Sequence, residues 1–327
     1  TGQDVYISDE KFEIGRNFGT KIWNAARFME MHSADFDVKD LAFNEADLTP
    51  DDQHLLAKLN EAIAETNDNL QRYRFNDATL ALYDFFWHSY CDWYLEYAKP
   101  ILYKGSPGQK KHTLQVMHFS FSTALRLLHP FMPFLTEELW HGMGYNHTAE
   151  SIMVAAWPEQ AVAKGIDPGI VKYVDGKHDL IRIGRILRAE YNLANKQEAS
   201  FCVRPVNAGY AGQIESDKES IMSALKAESI EVDVNFAPEG AMPSGISTLG
   251  TVYMSIEGLV DVEAEIEKLT RELNEVNGHL TNVKKKLANR NFVDKAPRDV
   301  VAVQEKRQAE LQEKSEKLVK MIETMRG

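Results

Sequence analysis

The chain has 327 residues, of which 44% are hydrophobic and 26% charged, and its formal net charge is −12. This length suits two or three domains, and the overall acidity excludes a general nucleic-acid coat, so any contact with RNA must come from local basic patches. No apolar run approaches the ~20 residues of a membrane span, so no membrane partner is predicted. The two cysteines, Cys91 and Cys202, are distant in sequence and exclude a disulfide framework and a four-cysteine zinc site. This cysteine usage favours the reducing cytoplasm.

The first patterned stretch, from Phe12 to Met29, predicts an amphipathic helix capped by Ser8. Its apolar residues recur at helical spacing and should face a core. Between Lys11 and Phe28 there are four basic residues and one acid, a local charge of +3. The polar surface of this helix combines cations, amides and an indole: Arg16, Asn17, Lys21, Trp23, Asn24 and Arg27.

This polar surface has a composition that suits single-stranded RNA. Arginine and lysine neutralise phosphate, asparagine hydrogen-bonds to base edges, and tryptophan offers a stacking plane. The alternative is an amphipathic helix whose polar face is only solvated, and the stretch by itself leaves both interpretations open.

Further helices are predicted in the rest of the first 150 residues. They run from about Pro50 to Glu65 with Thr49 as cap, from near Asn76 to before Pro100, from Gln109 to about Leu128, and from Thr136 for a short distance. The helix that begins near Asn76 is apolar nearly all round and should be the central helix of a bundle.

No catalytic constellation is visible in this part of the chain. His88 and Cys91 have the spacing of two metal ligands, but no second pair accompanies them, so no metal site is predicted. The adjacent carboxylates Glu137 and Glu138 would point about 100° apart on a helix and are poor partners for acid–base work. The chain also lacks a glycine-rich phosphate loop, a G-x-S-x-G motif and an H-E-x-x-H motif.

Three motifs in order resemble the anticodon-binding helical bundle of class I aminoacyl-tRNA synthetases. They are R-N-F-G-T-K-I-W-N-A-A-R-F, Y-D-F-F-W-H-S-Y-C-D-W-Y-L-E-Y-A-K-P and H-P-F-M-P-F-L-T-E-E-L-W. The resemblance implies that the polar surface of the first helix binds the anticodon loop of a tRNA. The catalytic signatures H-I-G-H and K-M-S-K-S of that class are absent, which implies a C-terminal fragment whose catalytic domain lies upstream.

Residues 151–260 predict a small α/β domain. A helix from Asp167 to about Tyr191 precedes strands near Ala199–Arg204, Ile230–Phe236 and Thr251–Ile256, and a helix from about Asp217 to Lys226 separates the first two. No chemistry is apparent here. Three arginines of the first helix, Arg182, Arg185 and Arg188, are expected on a solvated face.

The last segment, residues 261–327, carries two heptad seams. The first runs from Val262 to Leu287 and the second from Val301 to Met325, with Pro297 suited to the first turn of the second helix. An antiparallel helical hairpin with its turn near Asn289–Pro297 is therefore predicted. Lys284–Arg307 holds eight basic residues and three acids, so the distal part of the hairpin is its positive part.

The motif K-K-L-A-N-R-N-F-V-D-K-A-P-R-D-V-V of this segment resembles the C-terminal arm of the valyl-tRNA synthetase family, in which a coiled coil touches the outer corner of the tRNA. The resemblance assigns tRNA binding to a basic tip: Lys284, Lys285, Lys286, Arg290, Lys295 and Arg298. Phe292 is expected either to stack on an unpaired base or to pack the turn, and packing is the favoured choice. A hairpin that serves only dimerisation or packing is the alternative.

Together these features predict a mainly α protein in three parts: a helical bundle over residues 1–150, a small α/β (α+β) domain over residues 151–260 and an antiparallel coiled-coil hairpin over residues 261–327. The resemblance implies a monomeric, cytoplasmic tRNA-binding region with valine-specific tRNA as partner. It places ATP and magnesium in the catalytic domain, and no cofactor, metal or catalytic residue in this region. Two alternatives are a stand-alone RNA chaperone or scaffold, and the same region of an isoleucyl or leucyl synthetase.

Overall fold

The computed structural model describes residues 8–159, 163, 165–193, 197–238, 242–259, 262–289 and 297–326. The chain divides into two compact units, Thr1–His178 and Asp179–Gly327. The described residues are mainly helical with one small mixed sheet, which confirms the predicted fold class. The division into three domains stays a prediction.

The first unit begins with the predicted amphipathic helix, α1 (Asp9–His32). Ser8 occupies the cap position but makes no side-chain cap hydrogen bond. The acidic residues of the first turn stabilise the helix, because their negative charge lies at the positive end of its dipole. The apolar stripe is buried as predicted, with Phe18, Ile22 and Met29 each at most 5% exposed. This burial fixes which face of α1 is left for solvent.

Helix α2 (Pro50–Gln71) begins where the sequence predicts it to begin. Thr49 and Asp52 form a reciprocal capping box, in which each side chain accepts a hydrogen bond from the backbone N–H of the other residue. The helix continues six residues past the predicted end at Glu65, because this last part still packs on the bundle: Thr66 is buried, Leu70 is half-buried and Asn67 accepts a hydrogen bond from Trp157.

The central helical run has three parts. Helix α3 (Phe75–Tyr83) leads into a π-helical segment, Asp84–Tyr94, and then into α4 (Leu95–Lys104). The predicted end before Pro100 is wrong, because α4 continues through this proline. The backbone loses one hydrogen bond at Pro100, but Leu102 beyond it is 3% exposed, so its burial offsets the loss.

Two further helices complete the bundle. Helix α5 (Pro107–Leu128) is capped by a box between Ser106 and Gln109. Helix α6 (Pro133–Gly142) begins three residues earlier than predicted, because a proline is favoured rather than excluded at the first helical position. Short 3₁₀ turns lie at Glu45–Asp47, Tyr145–His147 and Ile152–Val154. Helix α7 (Pro168–Glu190) begins in the first unit, and its residues from Asp179 onward belong to the second.

The second unit contains a four-stranded sheet in the order β2-β1-β4-β3. Its strands are β1 (Ala199–Pro205), β2 (Ala227–Val232), β3 (Ser244–Ile246) and β4 (Gly250–Met254). Strands β1 and β2 are parallel, and β4 pairs antiparallel with both β1 and β3. Helices α8 (Ala208–Ser216) and α9 (Lys218–Leu225) connect β1 to β2.

The second strand ends earlier than predicted. Asp233 accepts a hydrogen bond from the backbone N–H of Asn235 and turns the chain, so the apolar alternation through Phe236 does not continue the strand. The expected solvated face of three arginines is also wrong at Arg188. Its side chain is 7% exposed and donates to the carbonyl oxygens of Gln197 and Lys226.

Two long helices, α10 (Val262–Ala288) and α11 (Arg298–Arg326), lie side by side in the second unit. Ser315 donates to Asn277, and Lys284 donates to Gln312. The residue numbers of the paired positions therefore rise along α10 and fall along α11. The seam residues from Ile266 to Leu287 and from Val301 to Met325 are all buried or half-buried. The two helices are therefore antiparallel, as predicted, while most of the predicted turn near Asn289–Pro297 lies outside the described residues.

Candidate nucleic-acid interface

The polar surface of α1 is a continuous exposed strip. At about 100° per residue, Arg16, Trp23 and Arg27 fall within about 40° of one another, and Asn24 and Asn17 follow on the adjoining side. All five are exposed, with 41% of Trp23 accessible. The buried stripe lies opposite this strip, so packing of the core presents these five side chains to solvent as a set.

Arg27 is the cation of this strip with the greatest freedom to bind a ligand. It is exposed and makes no hydrogen bond or ion pair with any residue that the structure describes. Arg16 is also exposed but already pairs with Glu13, at 3.2 Å between the guanidinium Nη2 and the carboxylate Oε1. An exposed pair of this kind contributes little and exchanges readily for a phosphate or a base.

Lys21 lies at the edge of the strip and differs from the two arginines. Its ammonium group donates to Asp92 Oδ1 at 2.9 Å and lies 4.8 Å from the centre of the Trp87 ring. The side chain is half-buried, and the nearby carboxylate offsets its charge. Lys21 therefore links α1 to the π-helical segment. Its role in RNA binding stays a prediction, and the ion pair with Asp92 argues against it.

The π-helical segment adds residues beside α1 that the sequence interpretation missed. Trp87 is half-buried and stacks on Tyr83, with 5.3 Å between ring centroids and 18° between planes. His88 is exposed, and its ring nitrogen Nδ1 lies 3.2 Å from Asp92 Oδ2. Trp87 and His88 are adjacent in the sequence and could have indicated a surface position. They were missed because the run around them is mostly apolar and was predicted to be a buried central helix.

A cysteine and two histidines of the first unit have structural surroundings that explain them without catalysis. Burial raises the pKa of the Cys91 thiol to about 12, so it is neither a ready metal ligand nor a nucleophile. His118 is 2% exposed between Ser33 and Tyr145, and burial lowers its pKa to about 4. His112 contacts the Asp52 carboxylate, whose hydrogen bond raises the pKa of the imidazole.

The basic tip of the second unit is described in part. Lys284, Lys285, Lys286 and Arg298 are exposed at the ends of α10 and α11. Lys284 donates to Gln312, a neutral partner, and forms no ion pair with the residues that the structure describes. The other predicted tip residues, Arg290 and Lys295, and also Phe292, lie outside the described residues.

Comparisons with known proteins match most of the chain to tRNA ligases. A family model for the anticodon-binding domain of tRNA ligase matches residues 52–203, and a model for the valyl tRNA synthetase tRNA binding arm matches residues 261–326. A valine–tRNA ligase of Geobacter sulfurreducens is 33% identical over 99% of this chain, and one of Geobacillus stearothermophilus is 34% identical over 96%. The chain belongs to the valyl-tRNA synthetase family.

The valyl-tRNA synthetase family relationship extends over α1. The domain model begins at residue 52, after this helix, but the alignment with the Geobacter relative covers 99% of the chain and therefore includes it. The chain spans about a third of the length of these relatives, 36% of the Geobacter protein and 28% of a relative from Aquifex aeolicus. Among the described residues, no helix combines the length and apolar character that a membrane span needs.

Proposed function

We propose that the chain is the tRNA-binding region of a valine–tRNA ligase. The exposed strip of α1 binds the anticodon loop, and the basic tip of the helical hairpin binds phosphates at the outer corner of the same tRNA. The attachment of valine with ATP and magnesium belongs to a part of the enzyme outside this chain. A cytoplasmic location and a monomeric state stay predictions of the sequence.

The observation that supports this proposal is the exposed polar strip of α1. The chain that carries it is similar to valyl-tRNA synthetases, whose substrate is a tRNA. Arg27 is exposed without an ion pair in the described part of the chain, and Asn17, Asn24 and Trp23 lie beside it. Exposed amides and a guanidinium can hydrogen-bond to unstacked bases, while an indole supplies a stacking surface. The rest of the chain has a net negative charge, so the location of these groups rather than overall charge directs the RNA to α1.

The proposal divides the work between the two surfaces. The strip on α1 reads bases and so contributes specificity, whereas the lysines of the tip are point charges suited to phosphates that every tRNA presents. Affinity from the tip should therefore depend strongly on salt and weakly on the identity of the tRNA. The two contributions can be measured separately.

Fluorescence anisotropy with labelled RNA tests the proposal. The chain should bind valine tRNA at least about tenfold more tightly than a tRNA of another amino acid, and transplanting the valine anticodon into the second tRNA should recover much of the difference. Equal affinity for all tRNAs would favour the stand-alone RNA chaperone instead. A preference for isoleucine or leucine tRNA would assign the chain to another synthetase.

A further inference from the structure

Three side chains that are distant in sequence meet between α2 and α7 in the first unit. His54 lies near the start of α2, and Asp175 and His178 lie one turn apart on α7. One ligand atom from each residue lies within 4.8 Å of the ligand atoms of the other two. His54 Nε2 and Asp175 Oδ1 are already 2.8 Å apart, although 121 residues separate them in the chain.

The ring of His178 is held in a fixed orientation. It stacks on Trp93 with 3.9 Å between ring centroids and 5° between planes, and it meets the His54 ring edge-on at 5.0 Å. Within the part of the chain that the structure describes, the nitrogens of His178 make no hydrogen bond. Stacking therefore orients an imidazole whose nitrogens are left available.

The surroundings of the cluster set the charges of two of its groups. The hydrogen bond from His54 lowers the pKa of the Asp175 carboxyl, so this group is a carboxylate at neutral pH. Burial lowers the pKa of His178 to about 2, and the neighbouring charges of His54 and Lys177 act in the same direction. The imidazole is therefore neutral, but the burial and the positive neighbours that keep a proton off His178 also act against a metal ion, so the geometry of the three donors carries the argument.

The cluster is open on one side. His54 is 5% exposed and His178 is half-buried, whereas half of the Asp175 side chain is accessible. Water can therefore complete the coordination of a bound ion. Lys58 lies 3.8 Å from Asp175 Oδ2 and 3.3 Å from Glu61, so its ammonium group opposes a cation in the cluster unless it moves toward the glutamate.

We propose that His54, Asp175 and His178 form a binding site for one divalent transition-metal ion of the zinc class, which links α2 to α7. Two imidazoles and a carboxylate are donors that Zn²⁺ accepts, with ligand distances of about 2.0–2.2 Å and a water in the fourth position. The site departs from the expectation of no metal in this region. Spacing in the sequence gave no sign of it, because only the fold brings His54 to α7.

A Co²⁺ titration of the untagged, chelator-treated chain tests the site, because Co²⁺ replaces Zn²⁺ and reports its coordination by visible absorption. One ion per chain should bind, and one equivalent of Zn²⁺ should displace it. Zn²⁺ at a hundredfold excess over its Kd should also lower the unfolding equilibrium constant about 100-fold. The proposal fails if the chain shows no visible absorption with Co²⁺ or takes up the ion without a defined stoichiometry.

Three variants locate the ion. His178→Ala and Asp175→Ala should each weaken binding more than about tenfold. His88→Ala is the matched control, because His88 also contacts an aspartate at 3.2 Å but has no third donor beside it in the described residues, and it should bind as the parent does. Asp175 is exposed, so its replacement leaves the core intact if His178→Ala unfolds. If Asp175→Ala bound the metal ion as tightly as the parent, His54 and Asp175 would be only a hydrogen-bonded pair and the proposed site would be wrong.

Discussion

Replacement of Arg27 by alanine should weaken binding of valine tRNA by about 5- to 150-fold. The range follows from the 1–3 kcal/mol that one arginine–base contact contributes, at about 1.4 kcal/mol per tenfold change. The folded chain should tolerate the substitution, because Arg27 is exposed and has no partner among the described residues. Its free energy of unfolding should change by no more than about 0.5 kcal/mol.

Lys21 offers an internal comparison on the same helix. Its ammonium group already donates to Asp92 at 2.9 Å, so a contact with RNA would first have to break that ion pair. Lys21→Ala should therefore reduce affinity less than about fivefold, since a partly exposed pair exchanges at a gain of about 1 kcal/mol or less. The order of the two effects, Arg27 above Lys21, follows from the structure and not from the charge of the side chains.

The assay is fluorescence anisotropy at one fixed salt concentration, with circular dichroism to verify folding of each variant. Arg72→Ala is the matched control, because Arg72 is an exposed arginine in the same unit, 63% accessible and paired with Asp68. It should bind as the parent does. Equal losses in Arg27→Ala and Arg72→Ala, or an effect of Lys21→Ala larger than that of Arg27→Ala, would refute the assignment of the α1 strip.

Neutralising Lys284, Lys285 and Lys286 together should reduce the slope of log K against log salt by about two, from the single-strand coefficient of about 0.7 per phosphate. The loss of affinity should be similar for valine tRNA and other tRNAs, and an unchanged slope in a salt titration would exclude phosphate binding by the tip. Because the pKa of His118 is about 4 in the fold and about 6.5 when unfolded, stability is complete above pH 6.5 and falls by about 3 kcal/mol as the pH drops through this window to 4. Urea unfolding at pH 7.5 and pH 5 should show a smaller pH-dependent loss in His118→Gln than in the parent, and equal losses would contradict the burial argument. The chain alone should show no valine-dependent exchange of pyrophosphate into ATP, and activity that persists through repurification would overturn the assignment of catalysis elsewhere.

The helices were predictable where one local signal sufficed. Thr49 followed by Pro50 fixed the start of α2, and the capping box is a local arrangement of residues three apart. The burial of Phe18 and Met29 followed from helical spacing alone. The seams of the hairpin were predictable for the same reason, because the heptad pattern states which residues are buried without reference to any other element.

Predictions failed where tertiary packing overrode a local rule. A proline commonly ends a helix, but burial of Leu102 carries α4 through Pro100. The three-residue strand β3 was missed, because Ser244–Ile246 is too short to show alternation and takes its extended form by pairing with β4. Arg188 was expected in solvent, but two backbone carbonyls bind its guanidinium.

The candidate interface was predictable only as a composition. The sequence placed six polar residues on α1 but gave no sign that Lys21 would pair with Asp92, which lies 71 positions away. Such a partner changes which cation is available to RNA. The His54 cluster shows the same limit, since contacts between distant segments are a property of the fold and not of any one stretch.

The most direct test of the central claim is photo-crosslinking of a valine anticodon stem–loop that carries 4-thiouridine in its loop, with the crosslinked peptides identified by mass spectrometry. The crosslinks should fall between Arg16 and Arg27, with Trp23 or its neighbours among the modified residues, and an excess of unlabelled valine tRNA should suppress them. Crosslinks confined to other helices of the first unit, or crosslinks that a tRNA of another amino acid suppresses equally well, would contradict recognition of the anticodon by the α1 strip.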